Sequence, residues 1–488
     1  FKQKTAYEIS LGLVGSEMCI RDSLDGLMAR ITDYHLASLE NEQKTVDYLP
    51  EESRRKTTDL SLPLVGNGPD GVLDDIDEFL RQCVRTNNPQ FMNPLWGGLN
   101  LSAFAGEVIA ALTNQSMYTY ELSPIATLIE KAIIFRIMEI IGYADGFGTF
   151  TTGGSNGNML GMLCARQSLY PSSSHTGFDG TKHVAFVSAE AHYSVLMSAN
   201  VIGIGHQNLI KVACDSQGRM KPDSLRDEIQ RAQQNDLVPF CVIATSGTTV
   251  RGAFDPIDEI AAITHDENIW LHVDAAWGGS CLFSSKYRDL MSGVELADSV
   301  CWDAHKMMGL PLICSAFLTK HKEVLGGVCA HGNAAHYLFH EDTKDVDLGR
   351  FSLQCGRRND SLKLWIAWRE IGDQGWAEMV EKYCELSDYL QAAVESHPKL
   401  EMMSERSWSN ICFRYVADGP DLNELNAGIR SRLIREGMHL VSRSNILDQV
   451  VIRAVVANPL VDQSVLDGLV AAIVRHGDEI VAGVPAQF

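Results

Sequence analysis

Two side chains in this sequence point to a chemistry that neither could perform alone. Lys306 follows an apolar stretch in Ser299-Val300-Cys301-Trp302-Asp303-Ala304-His305-Lys306-Met307-Met308-Gly309. Asp274 closes another, Ile269-Trp270-Leu271-His272-Val273-Asp274. An ammonium and a carboxylate at the ends of apolar strands are costly unless something pairs with both. A free lysine, with a pKa of about 10.4, is a poor nucleophile at neutral pH; desolvation lowers that value and frees the amine to form an imine with an aldehyde. A carboxylate beside a heterocyclic nitrogen keeps it protonated, so that the ring can accept electrons as a bond breaks. Taken singly, each residue has a plainer role: a lysine at a strand end is ordinarily at the surface, and an aspartate before Ala275-Ala276-Trp277-Gly278-Gly279 ordinarily caps or turns the chain.

An aldehyde and a protonated ring nitrogen together describe pyridoxal 5'-phosphate, and other stretches suit the rest of that molecule. Gly146 to Asn158 is rich in glycine and hydroxyl residues and precedes a helix expected over 159–167, an arrangement that offers free main-chain N–H groups to a phosphate. Its glycines do not have dinucleotide-binding spacing. His192, in Ala191-His192-Tyr193-Ser194, follows a strand expected at 184–188 and could stack on the ring. Thr245-Ser246-Gly247-Thr248-Thr249, at another strand end, offers hydroxyls for polar ring substituents.

The elements that position these residues can be read from apolar periodicity. Between 146 and 320, apolar strands are expected at 184–188, 209–213, 240–245, 269–274, 299–302 and 315–318, with helices such as 224–233 and 257–263 between several of them. Strands apolar on both faces, alternating with helices, indicate an α/β fold with a mainly parallel, doubly wound sheet. Ligands bind such sheets at the carboxyl ends of the strands, where Asp274 and Lys306 both fall. Residues 33–145 read as an N-terminal helical arm, including a helix from Ser123-Pro124, as hydroxyl cap and first-turn proline, to a stop at Gly142. The large domain is expected over 146–360, with a long, glycine-containing functional loop at 326–349. Residues 361–488 read as a smaller C-terminal α+β domain, opening on a helical region over 362–394 interrupted near 372–375. Residues 1–32 stand apart. Their apolar patch between Glu8 and Glu17 lacks the length and basic flank of a signal peptide, and reads as an artefactual or disordered leader.

Composition narrows the function. The 488 residues carry a formal net charge of -21, which argues against nucleic acid or an anionic membrane as partner. The 12 cysteines are scattered, with no C-x-x-C and no Cys/His cluster at metal spacing, so reduced thiols in a cytoplasmic protein and no metal site are expected. No apolar run is long enough to span a bilayer.

Together these segments resemble the group II pyridoxal-phosphate-dependent amino-acid decarboxylases, most closely the glutamate and cysteine-sulfinate decarboxylases. The resemblance runs in order through Asn88-Pro89-Gln90-Phe91, Tyr118 to Pro124, Ala191 to Ser194, Gly247 to Pro256, His272 to Gly279, His305 to Gly309, Tyr337-Leu338-Phe339 and Gln354-Cys355-Gly356-Arg357-Arg358. It implies a fold-type-I architecture and a homodimer with active sites shared between subunits. Carried onto matching positions, it makes Lys306 the imine-forming lysine, Asp274 the ring-nitrogen partner and His192 the residue stacked on the ring. Ala276 then lies on the opposite face, with Thr249 nearby, and Gly154, Ser155 and His305 match phosphate-contacting positions. Tyr337 matches a mobile-loop tyrosine that protonates Cα after carbon dioxide leaves. Arg453, on an apolar strand, matches an arginine that grips a substrate carboxylate, a task suited to a guanidinium fork.

The chain departs from the pattern in two places. Asp303 stands where the family commonly has Asn, and a carboxylate there would repel a phosphate unless it pointed elsewhere or met it through water. Near the substrate, Pro94-Leu95-Trp96-Gly97 replaces the Gln and Leu-Ser-Thr of the glutamate enzymes, and Trp96 fills space as an aromatic does in the cysteine-sulfinate enzymes. With Leu95 and Trp96 beside Arg453, the expected substrate is a small acidic amino acid, cysteine sulfinate or aspartate ahead of glutamate. Two alternatives remain at this point: a decarboxylase of aromatic or aliphatic amino acids, and a cofactor-free homologue acting as a scaffold.

Overall fold

The computed structural model describes residues 17–40, 42–177, 180–330, 335, 337–343 and 346–485. Its centre is a seven-stranded sheet in the spatial order Phe147–Thr151, Ser315–Thr319, Ser299–Asp303, Trp270–Asp274, Val238–Thr245, His183–Ser188, Leu209–Val212. The last five in that order run parallel, and Ser315–Thr319 lies antiparallel to both of its neighbours. This is the doubly wound α/β sheet expected, with one strand more. Phe147–Thr151, inside the glycine-rich stretch, is itself a buried strand, and the helix after it runs Gly154–Leu169, opening five residues earlier than expected.

Strand alternation divides the core in two. Val184, Phe186, Val242, Ala244, Leu271 and Val273 pack in one cluster with Ile257, Ile260 and Ile133. Ala185, Val187, Cys241 and Ile243 pack in the other, with Leu160, Cys164 and Val195. Helix Gly154–Leu169 approaches the second face closely through glycines. A Cβ on Gly157 would lie 2.5 Å from Cys301 Sγ, and one on Gly161 2.5 Å from His272 Nδ1.

The smaller sheet has the order Phe91–Met92, Leu440–Ile446, Gln449–Val455, Asn410–Tyr415, Leu400–Met402. Its helices, Leu422–Glu436 and Gln463–Val481, are capped by Asp421 and Asp462, which accept main-chain N–H bonds from the first turns. The apolar runs at 410–416 and 450–456 predict two of these strands; the other three were not foreseen. One of them, Phe91–Met92, comes from the arm and pairs in parallel with Leu440–Ile446, so the arm is built into the small sheet.

The arm is also tied to the region before the long helix Ser361–Ser396. Arg357 makes a bidentate, buried pair with Glu130 at 2.7 and 2.8 Å. The long helix is interrupted at Gly372, with φ 64°, inside the expected break. Helix Pro124–Ile141 ends at Gly142 as expected, but its start corrects the reading. Ser123 makes no cap, because its hydroxyl donates to the Ser116 carbonyl at 2.8 Å, and Pro124 alone marks the first turn. Helix Glu17–Ser38 crosses the boundary placed at residue 32, and Arg30 bonds Asp77 at 2.9 Å; residues 1–16 of the expected leader lie outside the described residues. The same holds for 331–334, 336 and 344–345 of the expected loop.

Candidate active site

The carboxyl ends of the central strands open on a cavity of about 280 Å3. Lys306, Asp274, His192, Ala276, Thr249, Gly154, Ser155, His305 and Leu95 all line it, so nine of the twelve residues singled out from the sequence meet in one place. A larger depression of about 810 Å3, at the amino ends of the same strands, contains none of them.

Each side chain has a local reason for its position. Asp274 ends its strand, buried, with Oδ1 accepting from the Ala276 amide at 3.1 Å and Oδ2 from Asn158 Nδ2 at 2.8 Å. Lys306 lies one turn past strand Ser299–Asp303, its amide donating to the Asp303 carbonyl, and its Nζ is 3.3 Å from Asp303 Oδ2. His305 is held by Nδ1, 2.9 Å from the Cys314 carbonyl, with Nε2 3.7 Å from the same Asp303 oxygen; burial lowers its pKa. His192 rests on Ser194 through Nδ1 at 2.9 Å. Burial pushes its imidazole below the usual range, Asp274 opposes this and Lys306 reinforces it. Helix Gly154–Leu169 opens at the cavity from Gly153, φ 116°, with no side-chain cap, which leaves its first turn available to an anion.

Three residues lie outside the lining. Trp96 is half-buried and packs on Phe91, ring centroids 5.4 Å apart. Tyr337 is exposed. Arg453 is buried and touches the cavity through Thr249, donating to the Thr249 carbonyl, to the Asn93 carbonyl at 3.0 Å and, from Nε, to Ser442 Oγ at 2.8 Å. No carboxylate pairs with it among the described residues.

Sequence reasoning left the orientation of one contributor open and missed two others. Asp303 does not point elsewhere: it is buried in the cavity wall. Asn158 lines the cavity beside Asp274 and donates to it, and His272 backs Asn158. His272 could have been found, since it lies two residues before Asp274 and so on the same face of the strand. Asn158 gave no signal beyond its place on the helix.

The cavity fits pyridoxal phosphate on its own evidence. Thr245 Oγ1, a hydroxyl able to donate, is buried in its wall without a hydrogen-bond partner among the described residues. Gly154 leaves a cradle in which a Cβ would lie 2.7 Å from Asp303 Oδ2 and 3.1 Å from Ala276 Cβ. No group of three or more metal-binding side chains occurs among the described residues.

A fold-type-I sheet with an amine, a carboxylate and an uncapped helix start around one cavity defines a pyridoxal-phosphate enzyme. The chain belongs to the pyridoxal-dependent decarboxylase family, whose conserved domain matches residues 50–416, and it is a carboxy-lyase that uses pyridoxal 5'-phosphate. It is 37% identical over 454 residues to the acidic amino acid decarboxylase GADL1 of Bos taurus, covering 90% of this chain and 87% of that protein. It is 35% identical over 459 residues to the cysteine sulfinic acid decarboxylase of Rattus norvegicus, covering 90% and 92%. The crystal structure of mouse CSAD in apo form superposes with a TM-score of 0.91 at 32% identity, over 95% of this chain and 99% of that one. No helix among the described residues is long and apolar enough to cross a membrane.

Proposed function

We propose that this enzyme removes the α-carboxylate of a small acidic L-amino acid, cysteine sulfinate or aspartate before glutamate, as carbon dioxide. The observation that carries the reading is Arg453. It is a buried guanidinium beside the cavity, steadied by two carbonyls and a hydroxyl rather than by a carboxylate, and its cost is recovered when an acidic side chain pairs with it. The names of the two relatives, one for acidic amino acids and one for cysteine sulfinic acid, agree with it. Leu95 closes the cavity near this end, and Trp96 stiffens the segment behind it.

Pyridoxal phosphate, when bound, supplies the electron sink for the charge left at Cα. Lys306 supplies the amine that holds it. Asp274 would keep a proton at the ring nitrogen, with His192 and Ala276 to hold the ring between them and Thr249 to meet its polar substituents. Gly154, Ser155 and His305 receive the phosphate. Tyr337 delivers the proton to Cα. Because Tyr337 is exposed outside the cavity of its own chain, its role calls for a homodimer with shared sites and a closing loop. Exposed apolar side chains near the cavity, Tyr193, Met197 and Leu312 among them, give such a dimer a surface to bury. The cysteines described, all unpaired, accord with a cytoplasmic enzyme.

A product assay with cysteine sulfinate, aspartate, glutamate, cysteate and neutral amino acids tests the substrate. Acidic substrates should exceed neutral ones in kcat/KM by about 100-fold or more. Equal turnover of a neutral amino acid, or full activity of Arg453→Met on the acidic ones, would overturn the reading. Mixing inactive Lys306→Ala and Tyr337→Phe chains should restore activity if the sites are shared.

A further inference from the structure

The two groups that flank the cavity, Asp274 and His192, are joined through Asn158, a residue of the same cavity wall, and Ser194. Asn158 Nδ2 donates to Asp274 Oδ2 at 2.8 Å and to Ser194 Oγ at 3.0 Å, while its Oδ1 faces His272 Nε2 at 3.0 Å. A carboxylate accepts, so the amide nitrogen must face Asp274 and the amide oxygen His272. His272 therefore donates from Nε2. Its Nδ1 lies 2.9 Å from Ser299 Oγ, a hydroxyl that already accepts from the Trp270 indole at 2.9 Å. An indole can only donate, so Ser299 keeps its own proton to give, and it gives it to His272 Nδ1 because that ring carries a single proton, on Nε2. Burial pushes His272 down to about 4, which leaves it one ring proton, on Nε2.

The other branch runs the same way. Ser194 Oγ, having accepted from Asn158, lies 2.9 Å from His192 Nδ1, and the Ser194 main-chain N–H points at that nitrogen from 3.3 Å. His192 Nδ1 is thus an acceptor. Helix Gly154–Leu169 comes near enough for Asn158 to reach because Gly161, one turn on, has no side chain to strike His272.

We propose that Asn158 is a positioning residue for the reaction, holding the Asp274 carboxylate and the His192 ring in one hydrogen-bond array that leaves the His192 proton on Nε2. This rests on the reading of Asp274 and His192 as the groups around the cofactor ring. The array, from Trp270 through Ser299, His272 and Asn158 to Asp274 and Ser194, is buried and meets the cavity only at Asn158 and Asp274, so its members polarise one another and resist rearrangement. A neutral His192 can lie against an aromatic cofactor and offer Nε2–H to an anionic group without placing a second positive charge beside Lys306.

Histidine-selective 15N labelling of the cofactor-loaded enzyme reads both tautomers, with His192→Gln and His272→Gln chains assigning the signals. Near neutral pH, both residues should show bare Nδ1 and protonated Nε2; a proton on Nδ1 of either overturns the array, and this measurement requires no Asn158 variant to fold. Asn158→Leu then tests the coupling. The visible absorption of the bound cofactor should change and kcat should fall about tenfold or more, with a smaller change in substrate KM. A folded Asn158→Leu enzyme with unaltered absorption and kcat also overturns the proposal. Failure of the underlying reading looks different: an Asp274→Asn enzyme with unchanged cofactor absorption would remove Asp274 from the ring nitrogen while the tautomers stood as drawn.

Discussion

Lys306 and Lys363 each reach a carboxylate three residues earlier in the chain, Asp303 at 3.3 Å and Asp360 at 2.9 Å. From there they diverge. Lys363 is almost fully buried and donates to the Ile313 carbonyl at 2.6 Å and the Pro311 carbonyl at 3.4 Å. It also lies 2.9 Å from Glu107 Oε2, an ion pair outside hydrogen-bond alignment. Burial works against its charge, but Cys314, Asp360 and Glu107 outweigh that and raise its pKa. Lys306 has one carboxylate and a cavity, and the second oxygen of that carboxylate has no partner among the described residues. A buried charge whose every donor is used holds structure together, whereas one left incompletely paired beside open space is available for a ligand. Ile313 links the two, since its carbonyl receives Lys363 and the residue lines the cavity of Lys306.

Substitution should separate the two lysines. Lys306→Met is expected to lower carbon dioxide release to background and to lower the urea midpoint less than Lys363→Met does, since Lys306 is a fifth exposed and Asp303 borders the cavity; turnover near that of the wild type would break the contrast. Lys363→Met should do the reverse, costing about 3–5 kcal/mol in urea unfolding because Asp360 loses its cation and Glu107 keeps only Arg358, at 2.6 Å. Neutral buried groups should respond to acid instead. His272 is depressed in the folded chain, so the unfolded chain binds the proton first as pH falls below about 6.5. Stability is then fully present above that pH and declines toward about 4, by up to about 1.4 kcal/mol per pH unit. His272→Gln should flatten that slope in unfolding measured across the window. Glu107→Gln, which leaves Asp360 in place, should cost about 1–3 kcal/mol. Glu51→Ala, removing an exposed partner of Arg55, should leave the urea midpoint where it was.

Much of the site was legible because its signals are local. Asp274 closes an apolar strand, Lys306 follows another by one turn, His192 and Thr249 follow two more, and glycines precede the helix that begins at Gly154. The structure gathers all of these into one cavity. Less legible were features that depend on partners far away in the chain. The Ser123 hydroxyl was claimed by the Ser116 carbonyl instead of the helix, and two residues of the arm became a strand because Leu440–Ile446 offered them an edge. Leu400–Met402 and Leu440–Ile446 escaped notice because one is short and the other, in Leu-Val-Ser-Arg-Ser-Asn-Ile, mixes polar with apolar residues too evenly.

The sequence by itself determined the alternation of strands and helices, the amine and carboxylate at two strand ends, and hence the kind of cofactor the chain handles, since periodicity and residue chemistry belong to short segments. Tertiary structure alone decided which buried charges are satisfied. Glu130 meets Arg357 from 227 positions away, and Asn158 joins Asp274 across 116. A hydrogen bond depends on a few tenths of an ångström between groups whose separation along the chain carries no information about their distance in space.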